Sequence, residues 1–390
     1  MAKDLKAFLT KKYEKTGAIH ILDEIQYIDT GIPSLNYVIS GRPLTGGIPL
    51  SGKMTIMYGP DGAGKTSLIN HTIAQAQKKN IDIVYIDTER SITKPRLRQF
   101  GVDLDKLSYA TPEYIEEVFE VIEDVCSFRL AERDEKPTLI IWDSIAGTPA
   151  KQTLERGADE VEIAADAKAI TRGLKRIRGK VKNSNVGLLL VNQARVNMDS
   201  YGDTFIMPGG YSLKHMVDLV LRVNKLKVGK RTDGQNIKFS TPGKNRLFRP
   251  FQSTDIFFDF DQCFTRENII TAFVDFLVTI GMIGQSGAWC YSLAEADKLM
   301  TEHKKDSSYT EDMAIKDCKK FYKKDYVETL INDDKEYQNL LKTSEDYIQK
   351  NINVVAEKSK DATIEEEEKR SLAAEKKHAS KEELEAIEED

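Results

Sequence analysis

Residues 59–66 read GPDGAGKT, with the spacing G-x-x-x-x-G-K-T. Residues of these types in this order can cradle a chain of phosphates. Glycines let backbone N–H groups close on phosphate oxygens, and a helix that starts just after them adds positive potential. Gly59, Pro60, Asp61, Gly62, Ala63 and Gly64 would form the loop, with Ser67 close behind. Lys65 is placed to reach the β- and γ-phosphates of a nucleotide, and the Thr66 hydroxyl to ligate Mg²⁺. Downstream, TLIIWDS sets Asp143 at the end of an apolar run, where a carboxylate can hold the same Mg²⁺ through water. IDIVYIDTE ends in Asp87 and Glu89. A carboxylate at a strand's carboxyl end can polarise an attacking water. Glu89 is the preferred base and Asp87 the alternative. VGLLLVNQAR ends in Asn192 and Gln193, and a glutamine there could bond a γ-phosphate. Together these residues describe phosphoryl transfer from a nucleoside triphosphate to water.

Such chemistry needs several strands ending side by side. The runs MTIMYG, IDIVYID, TLIIWD, VGLLLVN and DLVLRVNKLK have apolar interiors rich in Ile, Val and Leu. That is the pattern of strands covered on both faces. Helical stretches at 65–79, 112–130 and 164–182 separate several of them. The alternation predicts an α/β core, a largely parallel twisted sheet flanked by helices. Residues 4–15 read as a short amphipathic helix, and AIHILDEIQYIDTG as partly extended. Two β-rich stretches, NIKFSTPGKN and STDIFFDFDQ, precede NIITAFVDFLVTIGMI, whose helical spacing ends near Gly281. The run to about residue 355 reads as a small C-terminal domain.

Composition narrows the class. Charged residues make up 31% of the 390, and hydrophobic residues 40%, as in a soluble globular protein. No apolar run reaches the length of a membrane span, and the start MAKDLKAFLTKKYEK has no secretory core. Four cysteines without paired spacing and five histidines without a ligand pattern point to a reducing, cytosolic setting with no zinc site. The net charge of −5 is unevenly spread. Residues 357–390 carry −6, which leaves the rest near +1. Low in aromatics and highly charged, this tail reads as disordered or as a solvated helix. It could compete with nucleic acid for a basic surface.

Two basic features remain. TRGLKRIRGKVKN carries Arg172, Lys175 and Arg176 on one helical face with few acids to pair with, a candidate track for DNA phosphates. The segment RVNMDSYGDTFIMPGGYSLK, shortly after Gln193, is long, polar and glycine-bearing, as functional loops are. Arg195 adds charge to it, and Met198, Phe205, Ile206 and Met207 can wedge between bases. TPGKNRLFRPF, residues 241–251, clusters Lys244, Arg246 and Arg249 and calls for an anion.

The ordered set IDTGIPSLN, YGPDGAGKTS, YIDTE, FGVDLDKL, LIIWDS, VNQAR, PGG with SLKH, KNR with PF, and GAW resembles the RecA family of recombinases over roughly residues 28–292. The length, the ERSITKPRLRQFGVD segment and the acidic tail look most like the phage, UvsX-type branch. The resemblance implies a RecA-like P-loop core at 31–268. It implies an N-terminal helix and oligomerisation arm at 1–30, a small C-terminal domain at 269–355 and an acidic tail at 356–390. It implies a DNA-dependent ATPase using ATP and Mg²⁺. Such a protein forms a homo-oligomeric helical filament on single-stranded DNA, pairs it with double-stranded DNA and exchanges strands in recombination, repair and recombination-dependent replication. A mediator and a single-strand-binding protein are the implied protein partners. The implied location is the cytoplasm of a phage-infected bacterium, with no membrane. By the same likeness Glu89 activates water and Gln193 senses the γ-phosphate. Lys244 and Arg246 reach a neighbour's ATP. DNA contacts fall to Lys168, Thr171, Arg172 and Lys175, and to Arg195, Asn197, Met198, Ile206, Met207, Gly209 and Gly210 in the second DNA loop. Residues 155–164 correspond to the first DNA loop. One position departs from the pattern. Arg96 stands where the family sets an aromatic over adenine; a guanidinium plane can stack on a base too.

Three other readings share the same motifs. A ring helicase on this core would form a closed hexamer. A P-loop phosphotransferase acting on a small molecule would leave 195–211 and 241–251 without a role. A DNA-binding scaffold using ATP only structurally would be indifferent to Glu89.

Overall fold

The computed structural model describes residues 24–132, 136–155, 165–196, 205–206, 211–226, 232–287, 289–303 and 308–350. Those within 1–41 and 45–273 form one compact unit, and those within 42–44 and 274–390 another.

In the first unit β1 (Tyr27–Ile28) pairs with β2 (Ile48–Pro49), and α1 (Pro33–Ser40) lies between them in sequence. Then come β3 (Met54–Gly59), α2 (Lys65–Lys78), β4 (Asp82–Asp87), α3 (Lys94–Gln99), β5 (Leu107–Ala110), α4 (Ile115–Glu132) and β6 (Thr138–Asp143). After them lie α5 (Lys151–Glu155), α6 (Ala165–Asn183), β7 (Val186–Gln193), β8 (Arg195–Val196) and β9 (Phe205–Ile206). The unit continues through α7 (Tyr211–Met216), β10 (Leu219–Lys225), β11 (Gly234–Ser240) and β12 (Ser253–Asp259).

Eight strands form one sheet in the order β12-β11-β10-β3-β7-β6-β4-β5. The five pairings from β10 to β5 are parallel, and β10–β11 and β11–β12 are antiparallel. The largely parallel α/β sheet expected from sequence is therefore present. Every residue of β3 and of β6 is buried, which is why their sequences are apolar throughout rather than alternating. One core face gathers Ile56, Trp142, Leu190, Phe119 and Leu174 under α4 and α6. Phe119 meets Trp142 edge-on, with ring centroids 5.5 Å apart. Gly173 lets α6 approach α4, since a Cβ there would lie 2.0 Å from the Phe119 ring.

Register sets the site. Gly59 stands opposite Gln193, and Asp87 opposite Asp143. Four strands thus end in one row at their carboxyl ends, where parallel α/β sheets bind ligands.

Helix α8 (Arg266–Thr279) fits the helical spacing after residue 266, and Gly281 beyond it has a left-handed φ of 74°. The second unit includes β13 (Ile283–Ser286), β14 (Trp289–Ser292), α9 (Leu293–Glu302), α10 (Glu311–Asp317), β15 (Phe321–Tyr322) and α11 (Lys323–Asn332). Its three strands form an antiparallel sheet, β13-β14-β15. Among the described residues no helix is long and apolar enough to cross a membrane. The amphipathic helix expected at 4–15 and the acidic tail lie outside the described residues.

Candidate nucleotide site

The segment between β3 and α2 is a tight loop with left-handed glycines, Gly62 at φ 68° and Gly64 at φ 99°. Side chains are also excluded at its start, where a Cβ on Gly59 would lie 2.0 Å from the Val223 carbonyl. Gly64 is the N-cap of α2 and no side chain caps that helix, nor is there an acid in its first turn. Its first N–H groups therefore face the loop unclaimed by side chains, as anion sites require.

Lys65 is buried, and its ammonium donates to the carbonyls of Gly59 (2.9 Å) and Pro60 (3.0 Å). Burial lowers its pKa, while Asp61, Asp143 and Glu89 oppose that shift. Asp143 ends β6 beside it. Its Oδ2 accepts from the Tyr85 hydroxyl (2.9 Å) and from Thr66 Oγ1 (3.3 Å). Burial, with the charges of Glu89 and Asp87, pushes Asp143 up to about 6 against those hydrogen bonds. A hard cation near Thr66 and Asp143 would relieve that carboxylate, so the donor set fits Mg²⁺. The surrounding cleft of about 390 Å³ is lined by residues 61–67, Glu89, Arg96, Asp143, Ser144, Gln193, Gln235, Phe258 and Phe260. Glycine cradle, uncapped helix, buried lysine and cleft volume together suit a nucleoside triphosphate.

The two candidate bases separate. Asp87 is 1% exposed, and its carboxylate is consumed by Ser91 N, Ile92 N and the Tyr109 hydroxyl. Those bonds tie down the turn after β4 and leave Asp87 no room to take a proton from water. Glu89 lines the cleft instead. Its Oε1 accepts from Ser144 Oγ and, at 3.2 Å, from Gln193 Nε2. A Cβ on Gly147 would press on Glu89 Cγ at 2.9 Å, so the loop after β6 also shapes its seat.

Gln193 thus joins Glu89 to the chain beyond β7. Ala194 N donates to the Gly59 carbonyl (2.9 Å), and Arg195 and Val196 pair with Ile206 and Phe205 as β8–β9. The base of the second loop is a two-residue ladder fastened to the phosphate loop. Asn197, Met198, Met207, Gly209 and Gly210 lie outside the described residues, as does 156–164 of the first loop.

Helix α6 is amphipathic. Ile170, Gly173, Leu174, Ile177 and Val181 are buried, and Lys168, Arg172 and Lys175 are exposed; Thr171 is half-buried. Lys168 and Arg172 line a second cleft with Glu116, Gln152 and Arg176. The expectation of few acidic partners needs correction here. Arg176 bonds Glu123 at 2.7 Å and Lys180 meets the same carboxylate at 3.5 Å, because α4 packs alongside and presents that acid. Arg176 and Lys180 are thereby held against α4, while Lys168, Arg172 and Lys175 are exposed on the helix.

Lys244 and Arg246 lie elsewhere. Lys244 donates to the Lys214 carbonyl, and Arg246 to Asp218 Oδ1 (3.3 Å), whose Oδ2 accepts from Met54 N (3.1 Å). They sit at the amino ends of β3 and β10, while the phosphate loop sits at the carboxyl end of β3. Six residues of strand separate the two ends, about 17 Å at roughly 3.3 Å each.

Arg96, expected here from sequence, does line the cleft, whereas Gln235, Phe258 and Phe260 were not foreseen. Gln235 donates to the Gly62 carbonyl (3.1 Å) and braces the loop from β11. Arg96 is half-buried, with its guanidinium 4.9 Å from the Phe100 ring centroid and 6.0 Å from that of Phe258. The aromatic wall absent from position 96 is present as Phe258 and Phe260, brought in by β12. Only STDIFFDFDQ, with its three phenylalanines, hinted at it.

Comparison with known proteins agrees with this geometry. The RecA N-terminal domain family matches residues 4–264. The chain is 31% identical over 293 residues to Protein RecA of Aquifex pyrophilus, covering 72% of this chain and 80% of that one. It is 28% identical over 286 residues to Protein RecA of Aquifex aeolicus (72% and 79%), and 28% over 273 residues to that of Campylobacter lari (69% and 75%). The matched span contains the phosphate loop, Glu89, Asp143, Gln193 and the stretch with Lys244 and Arg246, and on that extent the chain belongs to the RecA family of recombinases.

Proposed function

We propose that this chain is an ATP-dependent DNA recombinase of the phage UvsX type, which assembles as a filament on single-stranded DNA and exchanges strands with a duplex. One observation carries the reading. Gln193 joins the base Glu89 and, through Ala194, the phosphate loop to the ladder at the root of the 195–211 loop. Nucleotide state and DNA state then share one glutamine.

Lys65 and the N–H groups of Gly62, Gly64 and α2 hold the phosphates. Thr66 and Asp143 would hold Mg²⁺, which neutralises charge on the phosphates when bound. Glu89, steadied by Ser144, orients water and takes its proton. A γ-phosphate oxygen competes with Glu89 for the Gln193 amide, and as that amide turns, the ladder moves with it. Lys168, Thr171, Arg172 and Lys175 carry DNA phosphates, with Arg195, Asn197, Met198, Ile206, Met207, Gly209 and Gly210 at the bases. Lys244 and Arg246 stand too far from the phosphate loop of their own chain and serve that of a neighbour. A head-to-tail contact of this kind grows an open helix. The UvsX assignment is supported by the ERSITKPRLRQFGVD segment and the acidic stretch after residue 356. A mediator and a single-strand-binding protein are the partners it brings.

The test is ATP turnover with and without single-stranded DNA, and then electron microscopy of the complex. Stimulated turnover on open helical filaments is expected. Closed hexamers would favour a ring helicase, and turnover indifferent to DNA would favour a small-molecule phosphotransferase.

A further inference from the structure

We infer that Tyr85 is a positioning residue for Asp143, setting which carboxylate oxygen is offered to the metal side of the site. This rests on reading the cleft as a Mg²⁺–nucleotide site.

Tyr85 lies within β4, fully buried, on a strand flanked by β5 and β6. A hydroxyl there is costly without an acceptor. Its acceptor is Asp143 Oδ2 at 2.9 Å, on the neighbouring strand. Thr66 Oγ1 reaches the same oxygen from the first turn of α2. Two donors on one oxygen fix the rotation of the carboxylate, and Oδ1 has no hydrogen-bond partner among the described residues. The carboxylate is thereby presented by one oxygen rather than left to turn.

The next strand supplies a comparison. Tyr109 stands opposite Tyr85 in register, with ring centroids 6.2 Å apart. Its hydroxyl goes to Asp87 Oδ2 (2.8 Å), a carboxylate already engaged in a turn. Two phenols at one sheet edge thus serve two different carboxylates, and only Tyr85 addresses the site.

Phenylalanine fills the same space, so Tyr85→Phe removes the hydroxyl and keeps the packing. The experiment uses the full chain and a fluorescent ATP analogue, titrated with Mg²⁺ at fixed pH, with melting temperature measured in parallel. Tyr85→Phe is expected to raise the half-saturating Mg²⁺ concentration about tenfold, the scale of a hydrogen bond to a charged group. Tyr109→Phe is expected to titrate like the wild type. The inference is overturned if Tyr85→Phe titrates like the wild type, whether or not its melting temperature drops. It is equally overturned if Tyr109→Phe shifts the titration as far. A wild type that binds the analogue without Mg²⁺ dependence sinks the parent reading instead.

Discussion

Asp87 and Glu89 are two residues apart and do different work because of what surrounds them. Asp87 spends its oxygens on two backbone amides and a phenol, while Glu89 faces the cleft with a serine and a glutamine. Glu89→Gln should therefore keep nucleotide binding and lose about 10²–10⁴ in turnover, the usual scale of general-base catalysis. Asp87→Asn should act mainly on stability, read as a lower melting temperature. A Glu89→Gln variant with unchanged turnover would exclude the base assignment. Gln193→Ala should bind ATP as before yet lose the nucleotide-dependent gain in DNA affinity, measured by salt-titrated binding with and without a non-hydrolysable analogue. Glu89, Asp143 and Gln193 stand out in the sequence because each lies at or just beyond the end of an apolar run. Ser144, Tyr85 and Gln235 were not, since their roles depend on which strand lies beside them. Tyr85 left one trace, a phenol inside the otherwise aliphatic IVYI of residues 83–86.

The elements owe their order to strand register and close helix packing. Strands β3, β4, β6, β7 and β10 were readable from their Ile, Val and Leu content, and α2, α4 and α6 from their spacing. The short elements α1, β5 and β13 to β15 were not, because two to eight residues carry too little period to stand out. The pairing of Arg176 and Lys180 with Glu123 was hidden for another reason. The acid comes from α4, more than fifty residues earlier in the chain. The closeness of α4 and α6 is itself testable. Gly173→Ala gains about 1 kcal/mol of helix propensity. It also drives a Cβ to 2.0 Å from Phe119, a ring wedged against Trp142 with nowhere to go. Overpacking of this kind costs about 1–3 kcal/mol, so a net loss is expected as a lower denaturation midpoint. A midpoint at or above that of the wild type would show that α6 can shift.

At the scale of the whole molecule, folding stability depends on pH through His71. Burial, with Lys78 nearby, lowers its pKa to about 4 against the pull of Asp29, and its Nε2 has no hydrogen-bond partner among the described residues. The folded value lies below the ordinary 6.5, so the stability of the neutral ring is complete above pH 6.5 and is lost as pH falls toward 4. The loss should reach about 2 kcal/mol by pH 5. Asp143 acts in the opposite sense between its ordinary value and about 6, so the difference between wild type and His71→Gln isolates the histidine. Parallel stability curves for the two from pH 7.5 to 5 would refute this. The second whole-molecule prediction concerns Lys244→Ala and Arg246→Ala. Each should bind nucleotide normally and lose DNA-stimulated hydrolysis; stimulation at wild-type level would mean that these cations serve no neighbour.

The opposite placement of those cations and the phosphate loop, at the two ends of β3, has a numerical consequence. On the neighbour-serving reading, an open row of n copies holds n − 1 finished sites. Turnover per copy then rises with the length of the row and falls on dilution, even at saturating nucleotide. A copy lacking both cations still extends the row and silences one neighbour only. Mixed with the wild type, it should lower the rate in straight proportion to its share, a titration that distinguishes a row of pairwise sites from an all-or-none assembly.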